Sequence, residues 1–181
     1  MAPRWPVVAV VGGGQAGAEA CALARAVGAL VVGAGASLVT GGRGGVMAAA
    51  SQGAHGARGP ARVPPILAIL PGYDRAEAHP WADLVLPTGL GHARNALVVA
   101  AADLVIVIGG EAGTLSEVGL ACKLGKPVCL LAGSGGVADG VGDLLPGLGL
   151  LRRIEGLAAL KQELAGLSAL VAAPDDEQAG P

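Results

Sequence analysis

A glycine turn at positions 109–114 has the residue types and the spacing that an anion site needs. The apolar run from Leu104 to Ile108 has the length and composition of a buried parallel strand, and Gly109-Gly110 ends it abruptly. A helical pattern then begins at Gly113-Thr114. Free backbone N–H groups and the positive end of a helix dipole would meet at this point, so the sequence predicts a phosphate or carboxylate site.

Two side chains near this turn could take part in the chemistry. Thr114 can cap the helix or donate its hydroxyl to an anion. Glu117 follows one turn later, where its carboxylate could reach across the mouth of the site. Alternatively, Glu117 only complements the helix dipole from an exposed first turn, and the residues alone leave both interpretations open.

Two further glycine turns follow predicted strands. The first strand, Pro6 to Val11, ends in Gly12-Gly13-Gly14, and these glycines with Gly17 satisfy G-x-G-x-x-G as a string. The second strand ends in Gly41-Gly42-Arg43-Gly44-Gly45-Val46-Met47, which also opens a helix. No acidic residue ends this strand to bind a ribose hydroxyl, which counts against an ordinary NAD site. No Lys-Ser/Thr follows the glycines, which excludes a P-loop.

Two arginines could supply the positive charge that a phosphate ligand requires. Arg43, inside the second glycine turn, could pair with a phosphate in bidentate fashion or could be a solvated loop residue. Arg94 falls in the first turns of a helix predicted over Gly91 to Ala101. A cation at that position is unfavourable for the helix dipole unless it meets an anion, so Arg94 is a candidate ligand-binding residue.

The elements that must position these residues alternate between strand and helix. Beyond the strands already named, the pattern predicts strands at Ile66–Leu70, Ala82–Leu86 and Pro127–Ala132, a glycine-rich loop over 133–149 and a helix over Arg152–Leu167. The stretch 73–81 reads as an exposed loop in which His79 faces solvent.

This alternation predicts a single α/β domain over residues 1–171, built as a doubly wound parallel Rossmann-like sheet, with a disordered acidic tail over 172–181. Ligands bind such sheets at the carboxyl ends of the strands, where the three glycine turns would meet.

Composition excludes several classes of protein. The 181 residues can bury a core without disulfides or metals, and a net charge of -2 without a basic run argues against nucleic-acid binding. The 3 cysteines lack CxxC spacing and form no ligand motif with the 3 histidines, which predicts no metal site and reduced thiols in a cytoplasmic protein. No apolar stretch reaches the roughly 18 residues of a membrane span.

Three motifs, Gly41–Met47, Ala93-Arg94-Asn95 and Gly109–Glu117, resemble in this order those of the Lonely Guy-like (SLOG) superfamily, long labelled "possible lysine decarboxylase". The resemblance covers roughly residues 6 to 132 and is greatest to the small bacterial branch grouped with the molybdenum cofactor carrier proteins. It implies a Rossmann-like fold and a homodimer or homotetramer. We hypothesise that the helix Gly91–Ala101 or the C-terminal helix supplies the contact.

The resemblance also implies one of two functions. The cytokinin-activating members are phosphoribohydrolases, which cleave the N-glycosidic bond of a nucleoside 5′-monophosphate to free base and ribose 5-phosphate. Their signature P-G-G-x-G-T-x-x-E is matched by Gly110, Gly113, Thr114 and Glu117, and Arg94 falls where their preceding arginine stands. Glu117 would then stabilise positive charge on the sugar, and Arg94 would neutralise the phosphate.

Departures from the hydrolase signature favour binding without turnover. Gly109 replaces its proline, Glu111 replaces its second glycine, and Ser116 stands where active hydrolases often carry a second acid. The carrier branch binds a pterin phosphate or a nucleotide without turnover, and the sequence resembles it better. Pyridoxal-dependent lysine decarboxylation is not supported, because none of the lysines lies among the glycine turns.

The prediction is therefore a protein that binds a nucleoside monophosphate or a pterin phosphate and requires no catalytic cofactor, with a phosphoribohydrolase as the alternative. Arg94 and Glu117 would be catalytic in a hydrolase. The predicted ligand-binding residues are Gly12, Gly13, Gly14, Gly41, Gly42, Arg43, Gly44, Gly45, Val46, Met47, Arg94, Gly109, Gly110, Gly113 and Thr114.

Overall fold

The computed structural model describes residues 5–59, 64–144 and 150–172. The strands in these ranges are β1 Val7–Gly12, β2 Ser37–Thr40, β3 Ile66–Leu70, β4 Leu84–Pro87, β5 Leu104–Ile108, β6 Val128–Leu131 and β7 Leu151–Ile154. The helices are α1 Ala18–Gly33, α2 Gly45–Gly56, α3 Asn95–Ala100, α4 Ala112–Lys123, α5 Gly136–Leu144 and α6 Gly156–Ala172, with short 3₁₀ helices at Arg75–Glu77 and Gly91–Arg94.

The seven strands form one sheet in the order β4-β3-β2-β1-β5-β6-β7. Every pairing between neighbouring strands is parallel. The chain builds outward from β1 to β4, then returns to the other side of β1 and continues through β5 to β7. This reversal confirms the predicted doubly wound α/β sheet, and its switch point lies between β1 and β5.

Two apolar layers cover the sheet, because alternate side chains of each strand point to opposite faces. One layer packs α1, α2 and α6 on side chains such as Val8 and Ile106. The other packs α3, α4 and α5 on side chains such as Ala9 and Val105. All five residues of β5 are buried, which explains why this strand is an uninterrupted apolar run.

The register between β1 and β5 brings the first and third glycine turns side by side. Gly12, the last residue of β1, pairs with Ile108, the last residue of β5. A Cβ atom at position 12 would overlap the carbonyl oxygen of Ile108, so only glycine allows this approach. The second turn follows β2, the neighbour of β1 on the other side.

Several predicted elements differ from the structure. The predicted loop over 133–149 contains α5, and residues 145–149 lie outside the described ranges. The predicted helix over 152–167 begins instead at Gly156, because residues 151–154 pair with β6 as a seventh strand. The predicted helix over 91–101 divides into a 3₁₀ helix and the short α3.

His79 is buried rather than solvent-facing, since it is only 8% exposed and its backbone N–H donates to the carbonyl of Gly42. Neither ring nitrogen has a hydrogen-bond partner among the described residues, and burial lowers the pKa of this histidine.

The predicted disordered tail lies outside the described residues, apart from Ala172 at the end of α6. Among the described helices, none is both long and apolar enough to cross a membrane.

Candidate functional site

A cavity of about 660 Å³ opens at the carboxyl edge of the sheet, at the switch point between β1 and β5. All three glycine turns contribute to its wall, together with residues after β3 and from the 3₁₀ helix Gly91–Arg94. The lining residues are Gly12, Gly13, Gly14, Gln15, Arg43, Gly44, Met47, Pro71, Gly91, His92, Arg94, Asn95, Glu111, Gly113, Thr114 and Glu117.

Two helices begin at the wall of this cavity. Gly44 precedes α2 and Glu111 precedes α4, and within the described chain neither residue makes a side-chain cap hydrogen bond. A helix begins with backbone N–H groups that have no partner inside the helix, and its dipole is positive at that end. Both ends therefore favour an anionic group in the cavity.

A buried ion pair lies in the wall of the same cavity. Arg94 is 8% exposed and Glu117 is 6% exposed, and Nη1 of Arg94 is 3.4 Å from Oε1 of Glu117. The same Nη1 donates a hydrogen bond to Oδ1 of Asn95. Nε of Arg94 has no hydrogen-bond partner in the described part of the chain. The cavity wall thus contains a cation whose hydrogen-bonding capacity is not fully used.

Burial dominates the ionisation of this pair. Desolvation raises the pKa of Glu117 to about 7, although the charge of Arg94 opposes the shift. Desolvation also lowers the pKa of Arg94, with Glu117 opposing the shift and Arg43 adding to it. An arginine stays protonated in proteins, whereas a carboxyl group with a pKa near 7 exchanges its proton around neutral pH. Glu117 could therefore adapt its charge to a ligand.

Nine of the predicted binding residues line the cavity wall, with Glu117 beside them. These nine are Gly12, Gly13, Gly14, Arg43, Gly44, Met47, Arg94, Gly113 and Thr114. The other six, Gly41, Gly42, Gly45, Val46, Gly109 and Gly110, are not part of the lining that the structure describes.

These five glycines and one valine pack behind the residues that line the cavity. A Cβ atom at position 41 would overlap the guanidinium of Arg94, so glycine here leaves room for that side chain. Gly42 lies against Leu70. Gly45 approaches the carbonyl of Gly13 closely, at a φ of 60° that favours glycine. The buried Val46 donates its backbone N–H to the same carbonyl at 3.1 Å.

The third turn is held by the start of α5. The N–H groups of Val137 and Ala138 donate to the carbonyls of Gly110 and Gly109 at 3.0 and 3.1 Å. Oγ of Ser134 accepts from the N–H of Gly109 at 2.9 Å. These contacts fix the turn that leads into α4 and hence the position of Thr114.

Six lining residues were among neither the predicted binding residues nor the predicted catalytic residues: Gln15, Pro71, Gly91, His92, Asn95 and Glu111. Some carried a signal in the sequence. Gln15 directly follows the first glycine turn, and Pro71 directly follows a predicted strand. Because ligands bind such sheets at the carboxyl ends of the strands, both residues could have been predicted. The sequence identifies Glu111 as a departure from the hydrolase signature but does not show whether it faces the site, and in the structure Glu111 lines the cavity.

Among the described residues, no group of three or more His, Cys, Asp and Glu side chains could hold a metal.

The chain belongs to the SLOG cluster4 family, whose family model matches residues 6–144. This match confirms the predicted membership of the Lonely Guy-like superfamily. An uncharacterized protein from Archaeoglobus fulgidus is 38% identical over 124 residues, which cover 68% of this chain and 78% of the relative.

Solved structures of molybdenum cofactor proteins share the fold over nearly their whole length. The molybdenum cofactor binding protein from the phototrophic bacterium Rippkaea orientalis is 33% identical, with a TM-score of 0.78 over 89% of this chain and 96% of that one. The molybdenum cofactor carrier protein from Chlamydomonas reinhardtii is 30% identical, with a TM-score of 0.79 over 92% of this chain and 99% of that one. The predicted likeness to the carrier branch is therefore confirmed.

Proposed function

We propose that this protein binds a nucleoside monophosphate or a pterin phosphate in the cavity and carries it without turnover. The observation that carries the proposal is the buried Arg94 in the wall of a cavity between two helix N-termini. The phosphate would lie near the starts of α2 and α4, where Arg43 and Thr114 could contact it. The similar structures named for binding or carrying the molybdenum cofactor support a carrier role.

The pairing of Arg94 with Glu117 supports binding over hydrolysis. A hydrolase of this type needs an ionised carboxylate to stabilise positive charge on the sugar. Burial raises the pKa of Glu117 to about 7, so this group is partly neutral around neutral pH. A neutral Glu117 does not repel a phosphate, which suits retention of an anionic ligand.

A phosphoribohydrolase is the second candidate: although Glu111 departs from the hydrolase signature, it adds a second carboxyl group to the cavity. Glu111 and Glu117 both line the cavity, so two carboxyl groups are available at one site. Glycosidic bond cleavage commonly uses two such groups. Glu117 would be the buried member of that pair.

Free base is the product that separates the two candidates. Purified protein would be incubated with a panel of nucleoside 5′-monophosphates and with a pterin phosphate, and free base would be measured by chromatography. We expect no release of base, together with thermal stabilisation by at least one of these phosphates. Release of base by the wild type but not by Glu117→Gln would establish the hydrolase instead.

The assembly and the location of the protein belong to the same proposal. We expect a homodimer or a homotetramer in the cytoplasm, acting on a small phosphate ligand rather than on nucleic acid or membranes. Exposed leucines support self-association: Leu97 on α3 is 39% exposed, and Leu157 on α6 is 36% exposed. The net charge of -2 supports the absence of a nucleic-acid partner.

A further inference from the structure

The buried side chain of Asn95 connects two parts of the cavity wall. Asn95 begins α3 directly after Arg94 and is 6% exposed. Its Oδ1 accepts a hydrogen bond from Nη1 of Arg94. Its Nδ2 donates to Oγ of Ser116 at 3.0 Å and to the carbonyl of Gly113 at 3.3 Å. The amide thus joins the guanidinium to the N-terminal half of α4, which also bears Glu117.

Only an amide satisfies both sides of this connection. The guanidinium of Arg94 can only donate, so it requires the oxygen of the amide. The carbonyl of Gly113 can only accept, and Oγ of Ser116 already donates to that carbonyl at 2.6 Å. Both groups therefore require the nitrogen of the amide. An aspartate would keep the contact with Arg94 but would place an acceptor against the Gly113 carbonyl, and an alanine would lose both contacts.

The amide and Glu117 share the same nitrogen of Arg94, which donates to both. Nη1 donates to Oδ1 of Asn95 and lies 3.4 Å from Oε1 of Glu117, a distance at the long end for an ion pair. The other charged or titratable groups of this wall are Arg43, His92 and Glu111. Without Asn95, the nearest acceptor for Nη1 would be Glu117, and the two charges would approach each other.

We propose that Asn95 is a positioning residue that holds the Arg94 guanidinium away from a close pair with Glu117, so that Arg94 can meet an anionic ligand. The proposal rests on the ligand binding proposed above. Asn95 acts through Arg94, and the hydrogen bonds to Ser116 and Gly113 supply its anchor on α4.

A ligand-free test is the titration of the Glu117 carboxyl group by NMR in the wild type and in two variants. In Asn95→Ala the guanidinium moves closer to Glu117, so the pKa of Glu117 falls. In Asn95→Asp a second carboxylate competes for Arg94 and repels Glu117, so the pKa of Glu117 rises. If Asn95 only fills space, both substitutions admit water and shift the pKa in the same direction or not at all. That outcome would overturn the proposal.

A binding test uses calorimetry with adenosine 5′-monophosphate near neutral pH, on proteins shown to be folded by circular dichroism. Asn95→Ala should weaken binding about tenfold, the loss expected for a hydrogen bond to a charged group. Ser116→Ala removes one exposed anchor and keeps the contact with Gly113, so its loss should be about two- to fivefold. Equal affinity of the wild type and Asn95→Ala would contradict the positioning role. Should the wild type bind neither this nucleotide nor a pterin phosphate, the proposed function fails, while the titration still decides the role of Asn95.

Discussion

The pairing of Arg94 with Glu117 sets the charge of the cavity at the scale of single residues. Two opposite charges at 3.4 Å, both nearly removed from water, lose hydration that their mutual attraction only partly restores. The pKa of Glu117 rises to about 7 because desolvation outweighs Arg94. Folding and ligand binding should therefore both depend on the protonation of this one carboxyl group.

Glu117 should make the folded protein less stable as the pH rises. Between its ordinary pKa of 4.5 and its folded pKa of about 7, the folded state binds more protons at Glu117 than the unfolded state. The free energy of unfolding is therefore highest below this window and falls as the pH rises through it, by about 3 kcal/mol in total. Urea titrations at both ends of the window should show this fall in the wild type and not in Glu117→Gln. Because His79 titrates in both proteins, only the difference between them is informative, and identical pH dependence would contradict the account.

Gly41 should matter for binding although it does not line the cavity. A methyl group at this position would overlap the end of the Arg94 side chain, which can move aside without unfolding the protein. Gly41→Ala should therefore displace the guanidinium and weaken adenosine 5′-monophosphate binding about tenfold, as measured by calorimetry. Gly119→Ala on α4, where the added methyl group meets open space, is the matched control and should bind normally. Normal binding by Gly41→Ala would show that the position of Arg94 does not limit affinity.

At the scale of elements, the packing of α1 against α2 depends on glycines at their crossing. A Cβ atom at Gly28 would overlap the backbone carbonyl of Ala50, and one at Gly53 would overlap that of Arg25. The two helix backbones are therefore in direct contact. Gly28 and Gly53 allow this close packing, but a single glycine within a helical pattern does not show which helix it packs against.

Gly28→Ala should destabilise the fold by about 2–3 kcal/mol, because a backbone carbonyl cannot move aside as a side chain can. Gly33→Ala is the control in the same helix, where the structure leaves open space, and it should change stability by less than about 1 kcal/mol. Thermal or urea unfolding would measure both variants. Equal effects would show that α1 and α2 do not meet at Gly28.

The elements that could be predicted from the sequence are those with a strong local pattern of apolar residues or glycines. The apolar run of β5 and the three glycine turns could be assigned locally, and they define the carboxyl edge of the sheet. By contrast, α5 is rich in glycine and has little helical preference of its own. It is stabilised by Asp139, which accepts from the N–H groups of Gly133 and Gly135 at 2.8 Å, and by its contact with the third turn.

Interactions between distant segments explain the rest of the differences. The strand β7 has only four residues, two of them arginines, and it forms because β6 offers an edge for pairing. Asn95 touches α4 through hydrogen bonds to residues 18 and 21 positions away. The sequence alone does not show which distant residues contact each other, so the role of Asn95 can be inferred only from the structure.

At the scale of the whole molecule, the strand order of the sheet determines where the cavity lies. The reversal between β1 and β5 leaves a crevice that neither set of crossover connections fills. The glycine turns line it, two helix N-termini face it, and Arg94 reaches it from the 3₁₀ helix after β4. The molybdenum cofactor proteins have the same architecture over nearly their whole length, so the structural similarity extends well beyond the three motifs.

Self-association belongs to this scale as well. Light scattering at micromolar concentration should give the mass of a dimer or tetramer of the 17.4 kDa chain. Leu97→Glu on α3 would place a charge on one of the two faces named above and should lower the mass if that face is the contact. Leu157→Glu on α6 is the matched variant for the other face. A monomeric wild type would remove the proposal of a homo-oligomer.

The most direct test of the central claim is calorimetry of the wild type with adenosine 5′-monophosphate and, in parallel, with adenosine. The two compounds share base and sugar, so their difference reports the phosphate alone. If Arg94 and the starts of α2 and α4 form an anion site, the monophosphate should bind at least about 100-fold more tightly than the nucleoside. The same comparison with a pterin phosphate and its dephosphorylated form covers the other ligand class. Equal affinity with and without the phosphate, in both pairs, would contradict the account.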